Sequence, residues 1–296
     1  MTQVPRPGSE TTRLHFVYDA WNRLAAAKND NGGSPGTTIA TYSYDAKGRR
    51  IRKAINGGDT FDYYYNDGYQ HLEVRKNADT DSLEHYVWDI SYIDAPLIWF
   101  RDSNVDGTVD DTMYPARDAN FNVTALIDTS GTVQERYFYD PYGKRTILDG
   151  SWGARGSSSY DWTLGHQGLM LDSETGLYYN RARMLHPTLG RFVQRDPLGY
   201  IGGVNLYGYA RNTPILLRDP VGLLECNKDN ERERRGVALG IVFSPGHNNP
   251  GDTNRLLNFA IILLLISDIP IPGVTNPAEI LRFFHANEPT GSSCRK

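Results

Sequence analysis

Two aspartates stand in matching surroundings, Asp196-Pro-Leu-Gly-Tyr200 and Asp219-Pro-Val-Gly-Leu223. Carboxyl groups do chemistry in pairs: an ionised one activates a nucleophile while a protonated one donates to a carbonyl or a leaving amine. Two carboxyls held close share a proton, because both do not readily ionise together. Such a pair can hydrolyse an amide. In each copy the proline fixes φ and the glycine permits a sharp reversal, so each carboxyl can be set rigidly at the start of a turn. Spacing alone leaves a purely structural turn equally open, since Asp140-Pro-Tyr-Gly143 has the same form. Arg191 and Arg195 lie close to Asp196 in sequence and are candidates to favour the ionised form of one carboxyl.

Other chemistry-bearing residues form weaker patterns. Asp102, Asn104, Asp106, Thr108 and Asp110 place oxygens around Gly107 as the first part of a calcium loop does. Met113 occupies the position of the closing carboxylate, so no calcium binding tighter than the millimolar range is expected. The seven histidines (His15, His71, His85, His166, His186, His247 and His285) show neither zinc spacing nor the metalloprotease motif. A serine nucleophile elbow and a phosphate-binding glycine loop are also missing, and no cofactor is expected. Near the C-terminus, His247, Asp252 and His285 belong to no recognised catalytic set.

The elements that must position the aspartates are short strands. Tyr18-Asp-Ala-Trp-Asn-Arg-Leu24 recurs as Tyr44-Asp-Ala-Lys-Gly-Arg-Arg50 and as Tyr139-Asp-Pro-Tyr-Gly-Lys-Arg145, with a weaker copy at Tyr65-Asn-Asp-Gly68. Repetition at this period marks a repeat architecture. Ahead of each Tyr-Asp pair the residues alternate: Leu14, Phe16 and Tyr18 face one way, His15 and Val17 the other. The aspartate then bonds nearby backbone N–H groups in a turn, and the arginine beyond it begins the return strand. The expected fold is mainly β, with hairpins over residues 12–150, a loop rich in small residues at 149–164, and a dense block of aromatics, Gly and Pro over 165–223.

Composition changes after Leu223. A charge run, 228–235, leads into an apolar stretch over 256–266, 11 residues long and short of the ~20 a membrane-spanning helix needs. A variable tail over 224–296, possible α structure within it and possible membrane contact are expected. Cys226 and Cys294, the only cysteines of the chain, allow at most one bridge closing the tail on itself. Lys plus Arg (31) nearly balance Asp plus Glu (35), which gives no general nucleic-acid footprint. The N-terminus has no basic-then-apolar signal pattern.

Residues 176–194, Gly-Leu-Tyr-Tyr-Asn-Arg-Ala-Arg-Met-Leu-His-Pro-Thr-Leu-Gly-Arg-Phe-Val-Gln, run directly into Arg195-Asp-Pro-Leu-Gly-Tyr-Ile-Gly-Gly-Val-Asn-Leu-Tyr-Gly-Tyr-Ala-Arg-Asn-Thr-Pro-Ile-Leu-Leu-Arg-Asp-Pro-Val-Gly-Leu223. This block resembles the Rhs repeat-associated core domain of bacterial Rhs polymorphic toxins and of the C components of insecticidal toxin complexes. With the Tyr-Asp (YD) repeats upstream, the resemblance covers residues 12–223. It implies part of a spiral β-shell that encloses a C-terminal toxin, plugged at one end by an aspartyl autoprotease. It assigns the catalytic pair to Asp196 and Asp219 and the cut to the bond between Leu223 and Leu224. It further implies a secreted or cell-surface setting. The implied partners are the chain's own tail, a larger shell partner and a cognate immunity protein. This sequence departs from the pattern at Tyr200, where Leu is usual, and at Arg183-Met-Leu-His-Pro187, where Arg-Tyr-Tyr-Asp-Pro is usual. It is also much shorter than a complete shell. The rival expectations are a non-cleaving structural or cell-surface interaction protein, and a toxin whose activity lies in the tail.

Overall fold

The computed structural model describes residues 2–223 and 226–227. Leu224, the apolar stretch, Cys294 and the histidines of the tail lie outside the described residues.

Fourteen strands follow one another in one antiparallel sheet, each bonded to its sequence neighbours. They are β1 (Gln3–Arg6), β2 (Ser9–Tyr18), β3 (Leu24–Asn31), β4 (Ser34–Tyr44), β5 (Arg50–Ile55), β6 (Thr60–Tyr65) and β7 (His71–Lys76). The meander continues through β8 (Ser82–Trp88), β9 (Pro96–Arg101), β10 (Asp111–Arg117), β11 (Val123–Asp128), β12 (Val133–Tyr139), β13 (Arg145–Asp149) and β14 (Ala154–Arg155). The period-two pattern sends one face inward, so Leu14, Phe16, Tyr42, Tyr63, Tyr86, Trp99 and Tyr137 are buried, while Val17, Tyr64, Val87 and Phe138 are exposed. His15 is on Val17's face, yet it is buried, because its Nε2 lies 2.6 Å from Asp30 Oδ1 and beside the amide of Gln3 on β1.

The Tyr-Asp signature is explained by what each residue bonds. Asp19 Oδ1 accepts the N–H groups of Trp21 and Arg23, and its Oδ2 accepts Arg23 Nε at 2.7 Å. The free arm of Arg23 donates onward to the carbonyl of Asp45, the next turn aspartate. Arg49 repeats the arrangement, holding Asp45 and reaching Asn66 O. The tyrosines point backward: Tyr44, Tyr65 and Tyr139 donate their hydroxyls to the carbonyls of Leu24, Arg50 and Val123, each the first residue of an earlier return strand. The turns at one edge of the sheet are therefore stitched to their neighbours in both directions. Two further units lack the signature in sequence. At Trp88-Asp89 the indole N–H takes the hydroxyl's place, donating to His71 O at 2.7 Å. At Arg117-Asp118 the carboxylate caps the N–H groups of Asn120 and Asn122.

Residues 162–218 cover the inward face. A second sheet of β15 (Met170–Asp172), β16 (Leu177–Asn180), β17 (Arg183–His186) and β18 (Arg191–Phe192) packs there, joining Trp162, Leu164, Leu177 and Met184 to the sheet's core cluster. Charge pins the two together. Arg50, wholly buried on β5, bonds Asp172 Oδ2 at 2.6 Å, and Lys53 bonds both Asp172 and Glu174. The rings of Tyr42, Tyr63 and Tyr179 surround the Arg50 guanidinium. This second layer also caps the edge of the YD turns, where Asn22 bonds Arg195 O and Asn120 bonds Pro214 O. Below it, β19 (Leu217–Arg218) pairs with β20 (Cys226–Asn227).

Candidate active site

The turn between β16 and β17 is the scaffold of the site. Four consecutive residues of that turn meet four consecutive carbonyls of the segment that ends at Leu223. Asn180 Nδ2 donates to Asp219 O at 2.8 Å, Arg181 to Pro220 O, Ala182 N to Val221 O at 3.3 Å, and Arg183 Nε to Gly222 O. Arg181 adopts a left-handed φ of 48°, a conformation that strains a residue with a Cβ. Its guanidinium is also locked two-fold onto Asp94, at 2.6 and 2.9 Å. Gly222 is required where it stands: its φ is +69°, and a Cβ there would run into the carbonyl of Asn180.

The two predicted aspartates come together on one cation. Arg183 Nη1 lies 3.0 Å from Asp196 Oδ2 and Nη2 lies 3.0 Å from Asp219 Oδ2. All three side chains are at least nine-tenths buried. Phe192 closes the far side, its ring centroid 3.7 Å from the guanidinium carbon. A guanidinium between two buried carboxylates offsets their mutual repulsion and fixes their separation. The remaining oxygens are aimed by the turns: Asp196 Oδ1 accepts Leu198 N at 2.8 Å, and Asp219 Oδ1 accepts Leu223 N at 3.0 Å. Asp219 thus lies in direct contact with the residue whose following bond is the predicted cut. Leu223 itself is buried, and Leu224 lies outside the described residues.

Arginine is present as expected, but it is a different one. Arg191 lies over the ring of Tyr207 and Arg195 is exposed, whereas Arg183 comes from a neighbouring strand. In sequence, Arg183 is marked only by its place in the block 176–194. Short 3-10 turns at Gly199–Gly202 and Ala210–Asn212 lie between the two aspartates, and Asp196 N bonds Leu206 O.

The acidic loop at 102–110 is tied to itself. Asp102 accepts the N–H groups of Asp106 and Gly107, Asn104 bonds Asp106, and Asp110 takes Ser103. Among the described residues, no group of three or more His, Cys, Asp or Glu is gathered to hold a metal ion.

A meander of Tyr-Asp hairpins, stitched turn to turn and covered by a packed second layer, defines a YD-repeat shell protein. Residues 9–215 match the teneurin YD-shell family, and the chain belongs to it as an Rhs/YD-repeat protein. The tRNA3(Ser)-specific nuclease WapA of Bacillus spizizenii is 30% identical over 226 residues, which are 73% of this chain and 9% of that protein. The probable deoxyribonuclease RhsA of Dickeya dadantii is 30% identical over 224 residues, 76% of this chain and 15% of that one. The crystal structure of TcdB2-TccC3 aligns at a TM-score of 0.53 and 25% identity, over 71% of this chain and 10% of that chain. The chain therefore spans a small part of the relatives it matches.

Proposed function

We propose that this chain hydrolyses its own backbone between Leu223 and Leu224, and that the segment released is an effector tail of a polymorphic toxin. The observation that carries the reading is Arg183 holding Asp196 and Asp219 together while Asp219 touches Leu223 N–H. One carboxylate takes a proton from water as its oxygen adds to the Leu223 carbonyl carbon. The C–N bond breaks, and the leaving Leu224 nitrogen takes a proton from the carboxyl that has just received one from water. The 180–183 turn supplies positioning: with carbonyls 219–222 held in sequence, the next bond is presented in a fixed place. The toxin context comes from the family and its nuclease relatives. The partners in this reading are a larger YD shell around the hairpins described here and a cognate immunity protein for the tail.

The test is a denaturing gel with mass spectrometry of any fragment. Wild type should give one fragment ending at Leu223 and another beginning at Leu224. Asp196→Asn and Asp219→Asn should each stay intact with their thermal unfolding preserved. Cleavage at Leu223 in both variants sinks the aspartyl mechanism.

A second reading, a non-cleaving structural protein, draws support from one observation. The Asp219–Leu223 contact has the same form as the structural turn in which Asp140 Oδ1 accepts Lys144 N at 2.8 Å. A wild-type chain that remains intact favours it.

A further inference from the structure

β19 is a two-residue strand fixed along its length by the rest of the fold. The carbonyl of Leu217 accepts Gln167 Nε2 at 3.3 Å. Gln167 is buried and itself held by Pro214 O, by Asn122 Oδ1 on its backbone N–H, and by the Tyr209 hydroxyl at 2.6 Å. The Arg218 guanidinium is buried against the rings of Tyr92 and Phe121, 4.9 and 4.6 Å away. Both rings belong to turns at the YD edge of the shell. A strand so anchored presents a backbone edge, and β20 occupies it in antiparallel register, Leu217 opposite Asn227 and Arg218 opposite Cys226. The two strands lie on opposite sides of the Leu223–Leu224 bond.

We infer that β19 is a docking strand for the tail, recognising the residues that follow the cut through their backbone. The inference rests on the self-cleavage reading and adds the determinant on the tail side of the bond. An added strand gains affinity from main-chain hydrogen bonds, which any residue except proline can make. Tails of unrelated sequence therefore fit the same cleavage module, provided their third and fourth residues accept extended backbone. Two ladder pairs are weak by themselves. They suffice while a short covalent loop keeps the partners at high effective concentration, and that advantage vanishes when the loop is cut. The same ladder thus aligns the bond before hydrolysis and lets the tail go afterwards.

The experiment uses the full chain in four forms: wild type, Cys226→Pro with Asn227→Pro, Cys226→Ala with Asn227→Ala, and Asp229→Pro with Asn230→Pro as a control beyond the ladder. Cleavage is followed by gel in all four, and backbone amide exchange at 226–227 is read, in chains carrying Asp196→Asn, for the three forms that keep those amides. The proline pair at 226–227 should cleave roughly tenfold more slowly than wild type, the effect of about one backbone hydrogen bond. The alanine pair and the control should stay within about twofold, because neither removes a ladder bond. The 226–227 amides should be protected in wild type, in the alanine pair and in the control, the three forms that have them. Equal rates for the two proline pairs, or an alanine pair as slow as the first, overturns the docking role. If wild type does not cleave at all, the self-cleavage reading falls. The docking strand is then judged on exchange alone, and free-coil exchange at 226–227 overturns it.

Discussion

At the scale of single residues, Arg183 is the centre of the site. It touches both aspartates and the Gly222 carbonyl at once. Arg183→Gln removes the cation from between two buried acids, and self-cleavage should fall about a hundredfold or more, the loss typical for a preorganised charged contact. Arg183→Lys should fail to restore it, since one ammonium cannot hold two carboxylates in a fixed fork. A gel time course decides both. Glu84 makes a separate prediction. It is buried on β8, bonded to the Tyr86 hydroxyl at 2.8 Å, and burial pushes its carboxyl up to about 7. A carboxyl raised in the folded state contributes its stability below its ordinary value near 4.5 and loses it as pH rises towards 7. The buried His71 and His166, pushed down to about 3, act in the opposite sense and weaken the fold as pH falls below 6.5. The difference between wild type and Glu84→Gln isolates the first effect. Relative to the variant, wild type should lose up to about 3 kcal/mol between pH 4.5 and pH 7. Urea midpoints that run parallel across that range would refute it.

Elements were partly legible. Alternation and Asp-x-x-Gly turns gave the hairpins, because the turn aspartate acts on N–H groups two and four residues ahead and leaves a local mark in sequence. Units at Trp88-Asp89 and Arg117-Asp118 escaped, because an indole N–H does a tyrosine hydroxyl's work at the first and no aromatic precedes the aspartate at the second. The aspartate pair was legible from its repeated context, but its cation was not: Arg183 reaches it through strand pairing and a turn, and neither leaves a local pattern. That turn can be tested as an element. Gly222→Ala strains a left-handed φ by about 1–3 kcal/mol and drives a Cβ at Asn180 O, displacing the segment that carries the bond. Cleavage should be lost while the shell's unfolding temperature changes little. A normally cleaved Gly222→Ala chain would show that the 180–183 cradle does not position the bond.

At the scale of the molecule, the question is what keeps the second layer in the shell. The Arg50–Asp172–Lys53–Glu174 network is buried and joins elements distant in sequence. Removing one partner, as in Asp172→Asn, leaves Arg50 with an uncompensated buried charge and should cost about 3–5 kcal/mol by chemical denaturation. Arg50→Met combined with Asp172→Leu should cost clearly less, since no charge is then stranded. Equal losses would mean the network is peripheral to docking. The stitched turns carry a consequence for how such proteins change length. Each Arg and Tyr stitch spans a single repeat, Arg23 to Asp45, Arg49 to Asn66, Tyr44 back to Leu24. A duplicated hairpin inserted between two others would find the same partners on either side and leave every junction chemically unchanged. Genes for this fold can thus lengthen by whole units at small cost in stability. Between Asn22 and Asn120 an added unit would also have to shift the contacts with Arg195 O and Pro214 O that tie those two turns to the second layer.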